Sequence, residues 1–140
     1  MQVLRHPARG VAVVVPRHNR LLVIRRSQSV VAPGAYCFPG GGIHGDEPES
    51  SAVIREMQEE LNVDATPRHC LWRSVTPWNV ELAWWLAELS ADSVLQPNEE
   101  EVADVHWLTP DEIRSLAGLL ESNHHFLDAW QRAEFALPLG

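Results

Sequence analysis

Residues 41–63 read GGIHGDEPESSAVIREMQEELNV, and this stretch of the 140-residue chain decides how the rest is interpreted. From Pro48 or Glu49 onwards, apolar residues recur at helical spacing. We expect them to form a buried stripe comprising Val53, Ile54, Met57 and Leu61. Asn62 follows, and asparagine tolerates the left-handed conformation with which helices often end. The pattern predicts a helix from residue 48 or 49 to Leu61.

The predicted helix carries three acids, Glu56, Glu59 and Glu60, at positions i, i+3 and i+4. This spacing places them on one face, which we expect to lie opposite the apolar stripe. Neighbouring like charges cost a few tenths of a kcal/mol per pair, so the cluster favours a bound divalent cation. Mg²⁺ or Mn²⁺ suits such all-oxygen ligands. The alternative is an acidic surface that is merely solvated.

Two further features favour a site over a solvated surface. Consecutive glycines at 40–42 form a tight turn whose backbone can approach a metal or a phosphate closely. Arg55 can pair with Glu47 through a two-pronged hydrogen bond, or it can orient a neighbouring acid.

The order of these residues resembles the box of the Nudix family. Its pattern is glycine, five residues, glutamate, seven residues, arginine–glutamate, an apolar residue, any residue, two glutamates, any residue, glycine and an apolar residue. The chain follows it from Gly41 through Glu47 and Arg55 to Val63, and only the last glycine is replaced, by Asn62. The resemblance implies an α/β fold of the Nudix type, an α/β/α sandwich with a mixed β-sheet flanked by helices.

The resemblance also implies roles for individual residues. Catalytic roles fall to Glu56, Glu59, Arg55 and Glu47, with Glu56 favoured as the base over Glu59 or Glu101. Metal ligands are Glu56, Glu59, Glu60, the carbonyl of Gly40 and, from a later loop, Glu101. Glu99 or Glu100 could replace Glu101 in that alignment. The implied cofactor is Mg²⁺, with Mn²⁺ as a possible substitute.

Similarity beyond the box is greatest to MutT-like nucleoside triphosphate pyrophosphohydrolases. It implies hydrolysis of a phosphoanhydride in a nucleoside diphosphate linked to another moiety, most readily a nucleoside triphosphate. The expected substrate-binding residues are Arg25, Arg26, Gly41 and Asn123. Asn123 would read the edge of a base, although it could instead be the N-cap of the last helix. Trp72, Trp78 and Trp130 are candidates for stacking on a base.

Two alternatives stay open at this point. One is hydrolysis of ADP-ribose or another nucleoside-diphosphate sugar, and the other is a non-catalytic sensor that binds nucleotides. The predicted first strand begins at Gly10, which leaves little sequence for the N-terminal dimerisation segments common in sugar-diphosphate members. Sensors of this fold commonly lose box acids, whereas all four glutamates and Arg55 are present here.

The remaining patterns predict one domain over residues 1–140. Predicted strands are 10–15 and 20–26, joined by a turn at 16–19, then a short segment at 36–38, and strands 80–89 and 103–108. Predicted helices span 110 to about 120 and 123 to about 135.

Composition excludes several classes of partner. Eleven basic and nineteen acidic residues give a net charge of −8, which argues against binding polymeric nucleic acid. No apolar run is long enough to span a membrane, and two cysteines are too few for a disulfide framework. We therefore expect a cytoplasmic protein whose partner is a small nucleotide or nucleoside-diphosphate derivative. It would be a monomer or a homodimer.

Overall fold

The computed structural model describes residues 8–139, so the ends of the predicted domain at 1–7 and 140 lie outside the described residues. Eight strands and three helices are present in this range. The strands are β1 (Ala8–Val14), β2 (Pro16–Arg17), β3 (Arg20–Arg26), β4 (Tyr36–Cys37), β5 (Gly40–Gly42), β6 (Thr66–Val75), β7 (Val80–Glu88) and β8 (Val102–Leu108). The helices are α1 (Glu49–Leu61), α2 (Pro110–Arg114) and α3 (Glu121–Gln131).

The strands form two sheets. The first has the order β5-β1-β7-β6, with β1 and β7 parallel and the other neighbours antiparallel. In the second, β3 pairs with β2 and β4 and also with β8. Pro39 lies in the link from β4 of the second sheet to β5 of the first, and its carbonyl accepts from the Val13 N–H of β1 at 2.7 Å. The fold is therefore a mixed β-structure, as expected from the sequence.

Helices cover both faces of this structure because the strand side chains alternate between two apolar clusters. The first cluster joins Val13 of β1 and Leu22 of β3 to Val53 and Met57 of α1. The second joins their sequence neighbours to α2 and α3 on the other face, and it contains Val14, Leu21, Val23, Trp84, Ile113, Phe126 and Leu127. The α/β/α sandwich is confirmed. No helix among the described residues is long and apolar enough to cross a membrane.

Helix α1 begins and ends where the sequence predicts. Its last residue is Leu61, and Asn62 follows in the left-handed conformation with φ 52°. Two details of the prediction are wrong. Ile54 is 43% exposed rather than part of the buried stripe. Glu56 and Glu60 are not opposite that stripe but lie beside it and are themselves buried.

Strand β6 was not predicted. It lies at the edge of its sheet, where Pro67 is tolerated because one side of the strand needs no hydrogen-bond donors. Buried and exposed residues do not alternate regularly along β6. Its sequence therefore lacks the alternation of apolar and polar residues that predicts a strand.

The last two helices are shorter than predicted. Helix α2 ends at Arg114 because the following segment turns at Gly118 (φ 89°) and hydrogen-bonds to Tyr36. Helix α3 spans Glu121–Gln131, with Leu120 rather than Asn123 at its N-cap. The interpretation of Asn123 as a helix cap is therefore wrong.

Candidate active site

The glutamates of α1 face a cavity beside the Gly40–Gly42 strand. This acidic cavity has a volume of about 310 Å³. Its lining consists of Arg26, Val30, Gly40, Gly41, Gly42, His44, Glu56, Glu59, Glu60 and Glu101. Glu56 and Glu60 are 7% and 6% exposed, whereas the side chain of Glu59 is 47% exposed. Two acids thus lie against the core and one at the rim.

Arg55 connects Glu47, which lies before α1, to the acids of α1. Its guanidinium donates to both oxygens of Glu47, Nε to Oε2 at 2.8 Å and Nη2 to Oε1 at 2.9 Å. Nη1 donates to Glu56 Oε1 at 2.8 Å and Glu59 Oε2 at 3.2 Å, and Nη2 also reaches the Gly42 carbonyl at 2.8 Å. The hydrogen bonds from Arg55 lower the pKa of Glu47 to about 2. Arg55 thereby neutralises part of the cluster's charge and orients Glu56.

The two buried acids are in an unfavourable environment for negative charge. Burial raises the pKa of Glu60 to about 8, although the Gly40 N–H donates to its Oε1 at 2.8 Å. Burial also raises the pKa of Glu56, and the hydrogen bond from Arg55 opposes that effect. Such acids are stabilised when a cation binds beside them.

The glycines at 40–42 form the strand β5 rather than the expected tight turn, and this strand fits closely against both β1 and Glu56. A Cβ on Gly40, which has φ 150°, would lie 2.0 Å from the Val11 carbonyl oxygen. On Gly41 a Cβ would lie 2.5 Å from Glu56 Oε1, so any side chain there would displace the carboxylate. Gly42 has no atom within 4 Å of the corresponding position. A side chain at position 40 would therefore collide with the backbone of β1, whereas one at position 41 would displace a side chain of the site.

Glu101 is the acid that the loop before β8 contributes to the acidic cavity. Glu99 and Glu100 are exposed and do not line it. Oε2 of Glu101 is buried without a hydrogen-bond partner among the described residues. A buried carboxylate oxygen without a donor is costly, and a metal ion would satisfy it. The donor set, carboxylates and backbone oxygens, suits Mg²⁺ or Mn²⁺.

The acids do not already form a closed metal cage. Between residues 8 and 139, no three acidic, histidine or cysteine side chains are arranged so that they could hold a metal ion. Arg55 holds Glu56 and Glu59, and the Gly40 N–H holds Glu60. Each of these hydrogen bonds engages one carboxylate oxygen, so each acid keeps a second oxygen with which it could bind a common ion.

A second, mainly apolar cavity of about 310 Å³ adjoins the acidic one. The two share Arg26 and the Gly40–Gly42 strand. Aromatic and small polar side chains line the rest, among them Trp78, Trp84, Thr76, Ser122 and Asn123. The site therefore has an acidic half and an apolar half that meet at the glycines.

Comparison with known proteins places this site in a family. Residues 4–130 match the sequence model of the NUDIX domain. The chain belongs to the Nudix hydrolase family. One relative, the CTP pyrophosphohydrolase of Escherichia coli K12, is 28% identical over 73% of this chain and 76% of that relative. A MutT-like protein of Streptomyces ambofaciens is 30% identical over 77% of this chain and 67% of that relative.

A solved structure supports the fold. The MutT protein of Methanosarcina mazei superimposes with a TM-score of 0.78 at 18% identity, and the match covers 94% of this chain and 99% of that one. The box of this Nudix hydrolase, from Gly41 to Val63, forms the strand β5, the turn before α1 and α1 itself. Its predicted acids and Arg55 are brought together as described above.

The predicted substrate-binding residues are only partly brought together. Arg26 lines both cavities, and its Nε donates to the Val31 carbonyl at 2.6 Å. Arg25 points elsewhere and pairs with Asp104, with Nε 2.9 Å from Oδ2. Arg25 lines neither cavity, so nothing in the geometry supports its predicted role.

Asn123 lies 3% exposed in the first turn of α3 and borders the apolar cavity of this Nudix hydrolase. Its Oδ1 accepts from the Phe38 N–H at 2.9 Å. This bond fixes the orientation of the amide. Nδ2 donates one hydrogen to Ser122 Oγ at 3.2 Å, so its second hydrogen is the donor left for a ligand.

Of the three tryptophans considered for stacking, only Trp78 borders the apolar cavity. It is 69% exposed on the turn before β7. Trp72 instead packs against Trp84 and Phe126 in the aromatic core. Sequence reasoning missed Ser122 and Thr76, which have no motif and reach the cavity only through the fold.

Proposed function

We propose that this Nudix hydrolase cleaves a nucleoside triphosphate to the nucleoside monophosphate and pyrophosphate, with Mg²⁺ or Mn²⁺ as cofactor. The observation that carries this proposal is the meeting of the acidic and apolar cavities at the Gly40–Gly42 strand. The apolar half suits a base, the acidic half suits metal-bound phosphates, and Arg26 lies between them. The similarity to a CTP pyrophosphohydrolase supports a triphosphate substrate.

The acids of the cavity would hold the metal. Proposed ligands are Glu56, Glu59, Glu60, Glu101 and the carbonyl of Gly40. When bound, Mg²⁺ would supply neutralisation of charge on the phosphate oxygens at the bond to be broken. Arg55 and Glu47 position these acids from behind through the hydrogen bonds described above.

Glu56 is the proposed general base. It would accept a proton from a water molecule that attacks phosphorus, while the P–O bond to the leaving group breaks. Its carboxylate lies in the acidic cavity beside the glycine strand, where the phosphates would be held. The hydrogen bond from Arg55 fixes the carboxylate during this step. Glu59 and Glu101 are the alternative general bases, and mutation of each acid in turn distinguishes them from Glu56.

The apolar cavity would hold the base of the nucleotide. Trp78 is placed to stack on a base, because its ring is exposed at the rim. The Asn123 amide would donate through Nδ2 to an acceptor on the base edge, such as a carbonyl oxygen. Arg26 would contact the phosphates.

A panel of substrates tests this proposal. Nucleoside triphosphates, oxidised nucleotides, nucleoside-diphosphate sugars and dinucleoside polyphosphates are each incubated with Mg²⁺ or Mn²⁺, and the products are identified. We expect pyrophosphate and a monophosphate from at least one triphosphate. Exclusive cleavage of sugar diphosphates would replace the triphosphate proposal with the alternative chemistry. Equal activity of Glu59→Gln and the parent would overturn the catalytic assignment.

A further inference from the structure

The segment that carries Glu101 is hydrogen-bonded to the C-terminal end of α1. At its start, the Gln96 N–H donates to the Leu61 carbonyl at 2.9 Å, and Asn62 Nδ2 donates to the Gln96 carbonyl at 2.7 Å. These contacts bring the segment alongside the last turn of the helix that bears Glu59 and Glu60.

Asn98 makes the central connections of this segment. Its backbone N–H donates to the Glu60 carbonyl at 2.8 Å, and its Nδ2 donates to the Glu59 carbonyl at 3.3 Å. Carbonyls in the last turn of a helix lack partners within the helix, so these donors satisfy groups that would otherwise need water. Asn98 therefore contacts the backbone of two of the three proposed ligands on α1, Glu59 and Glu60.

The same residue opens the turn that presents Glu101. The Asn98 carbonyl accepts from the Glu101 N–H at 2.9 Å and the Val102 N–H at 2.8 Å. Its Oδ1 accepts from the Glu100 N–H at 3.3 Å. A residue that bonds to the helix on one side and to the turn on the other fixes the distance between them.

Ser27 holds the far side of this turn. Its N–H donates to the Glu101 carbonyl at 3.0 Å and its hydroxyl to the Glu100 carbonyl at 2.7 Å. Ser27 is itself buried at the end of β3. With its backbone held on both sides, the turn directs Glu101 into the acidic cavity while Glu100 stays exposed.

We propose that Asn98 is a positioning residue that fixes Glu101 relative to Glu59 and Glu60 and thereby sets the affinity of the site for its divalent cation. Asn98 does not line the acidic cavity, so it acts through Glu101 rather than as a ligand. The inference rests on the proposed function only in taking Glu101 as a ligand. Residues that orient ligands typically change metal affinity by about 10- to 100-fold when they are replaced.

A double-mutant cycle on the full chain tests this inference without substrate. Binding of Mn²⁺ is measured by the loss of the electron paramagnetic resonance signal of the free ion. We expect Asn98→Ala to weaken binding about tenfold and Glu101→Gln to weaken it at least as much. The double variant should bind no more weakly than Glu101→Gln alone, because Asn98 acts through that acid.

Asn62→Gly is the matched control, since it removes the amide donated to the Gln96 carbonyl but leaves Asn98 and the left-handed backbone in place. We expect its Mn²⁺ affinity to stay within about twofold of the parent. Equal weakening by Asn62→Gly and Asn98→Ala would show general loosening of the segment and overturn the proposal. If Asn98→Ala does not fold, Asn98→Ser replaces it in the cycle, because it loses the Nδ2 donor but keeps a side-chain oxygen that can accept from the Glu100 N–H.

Other outcomes are equally decisive. Unchanged binding in Asn98→Ala, or additive losses in the double variant, would overturn the positioning role. Unchanged Mn²⁺ binding in Glu101→Gln would also overturn the positioning role of Asn98, because Glu101 would then not be a ligand. None of these results bears on whether the parent hydrolyses triphosphates, which the substrate panel measures separately.

Discussion

At the scale of single residues, two adjacent glycines have different spatial requirements. Gly41 lies against the carboxylate of Glu56, and Gly42 faces open space. The sequence presents both as members of one glycine run, and only the position of α1 distinguishes them.

Alanine substitutions at these two positions should therefore differ. Gly41→Ala would place a methyl group 2.5 Å from Glu56 Oε1, so the carboxylate must move. We expect kcat to fall by about 10- to 100-fold, the effect of displacing a catalytic group by about 1 Å. Gly42→Ala adds the same methyl group without a contact and should retain most activity. Equal losses in steady-state assays would contradict the proposed role of Glu56.

The proposed stacking of Trp78 on a base can be tested by replacing its ring. Removal of its ring should weaken nucleotide binding, because base stacking contributes about 1–3 kcal/mol. Trp78→Ala is expected to raise KM about tenfold with little change in kcat, and Trp78→Phe to restore most of the affinity. Trp130→Ala, outside the cavity, is the control in the same KM measurements. An unchanged KM in Trp78→Ala would remove the stacking assignment.

At the scale of elements, α1 is anchored at its start by a charged side chain. Pro48 at the N-cap provides no side-chain hydrogen bond. Glu49 in the first turn accepts from Arg73 Nη1 at 2.7 Å, Trp85 Nε1 at 2.9 Å and Arg9 Nη2 at 3.3 Å. These contacts join α1 to β6, β7 and β1, and its negative charge also complements the positive end of the helix dipole.

The stability of this anchor should depend on pH. The hydrogen bond from Arg73, with those from Trp85 and Arg9, lowers the pKa of Glu49 in the folded state below its usual value of 4.5. Its contribution is therefore fully present above about pH 4.5 and is lost as pH falls through the lowered folded pKa. Glu49→Gln should cost about 1–2 kcal/mol at pH 7. Denaturant unfolding should show that this difference narrows below about pH 4.5.

Glu121→Gln is the comparison for that experiment. Glu121 is also in the first turn of a helix, α3, but its side chain is 73% exposed. We expect it to change stability little at any pH. If the loss of unfolding free energy in Glu49→Gln stays constant across the acid range, the ionised state assigned to the Glu49 carboxylate is contradicted.

At the scale of the whole molecule, the proposed cation would join three parts of the chain. The acidic cavity lies between α1, the glycine strand and the segment before β8. A ligand that binds only the folded state stabilises it by about 2.7 kcal/mol at a concentration 100 times its Kd.

Thermal unfolding should therefore respond to metal. Raising Mn²⁺ from zero to about 100 times its Kd should increase Tm by roughly 7–10 °C, and a chelator should reverse the increase. Glu60→Gln should show a smaller increase, whereas Glu121→Gln should respond as the parent does. A Tm independent of Mn²⁺ would contradict the assignment of the acidic cavity as a metal site.

Local sequence patterns were enough to predict the box, the span of α1 and the placement of Glu56, Glu59 and Glu60 close together on that helix. Helical spacing and capping involve residues a few positions apart, so they can be predicted locally. The family pattern added Arg55, Glu47 and the glycines, which the fold brings to that helix. The single domain over 1–140, the cytoplasmic location and the oligomeric state stay predictions.

The tertiary structure alone decided between residues that look equivalent in sequence. It selected Glu101 over Glu99 and Glu100 through the bonds of Asn98 and Ser27. It shows that Asn123 is not a helix cap but accepts from the Phe38 N–H, 85 positions away in the chain. These outcomes depend on contacts between segments that are distant in the sequence, and a local sequence pattern does not predict the energies of such contacts.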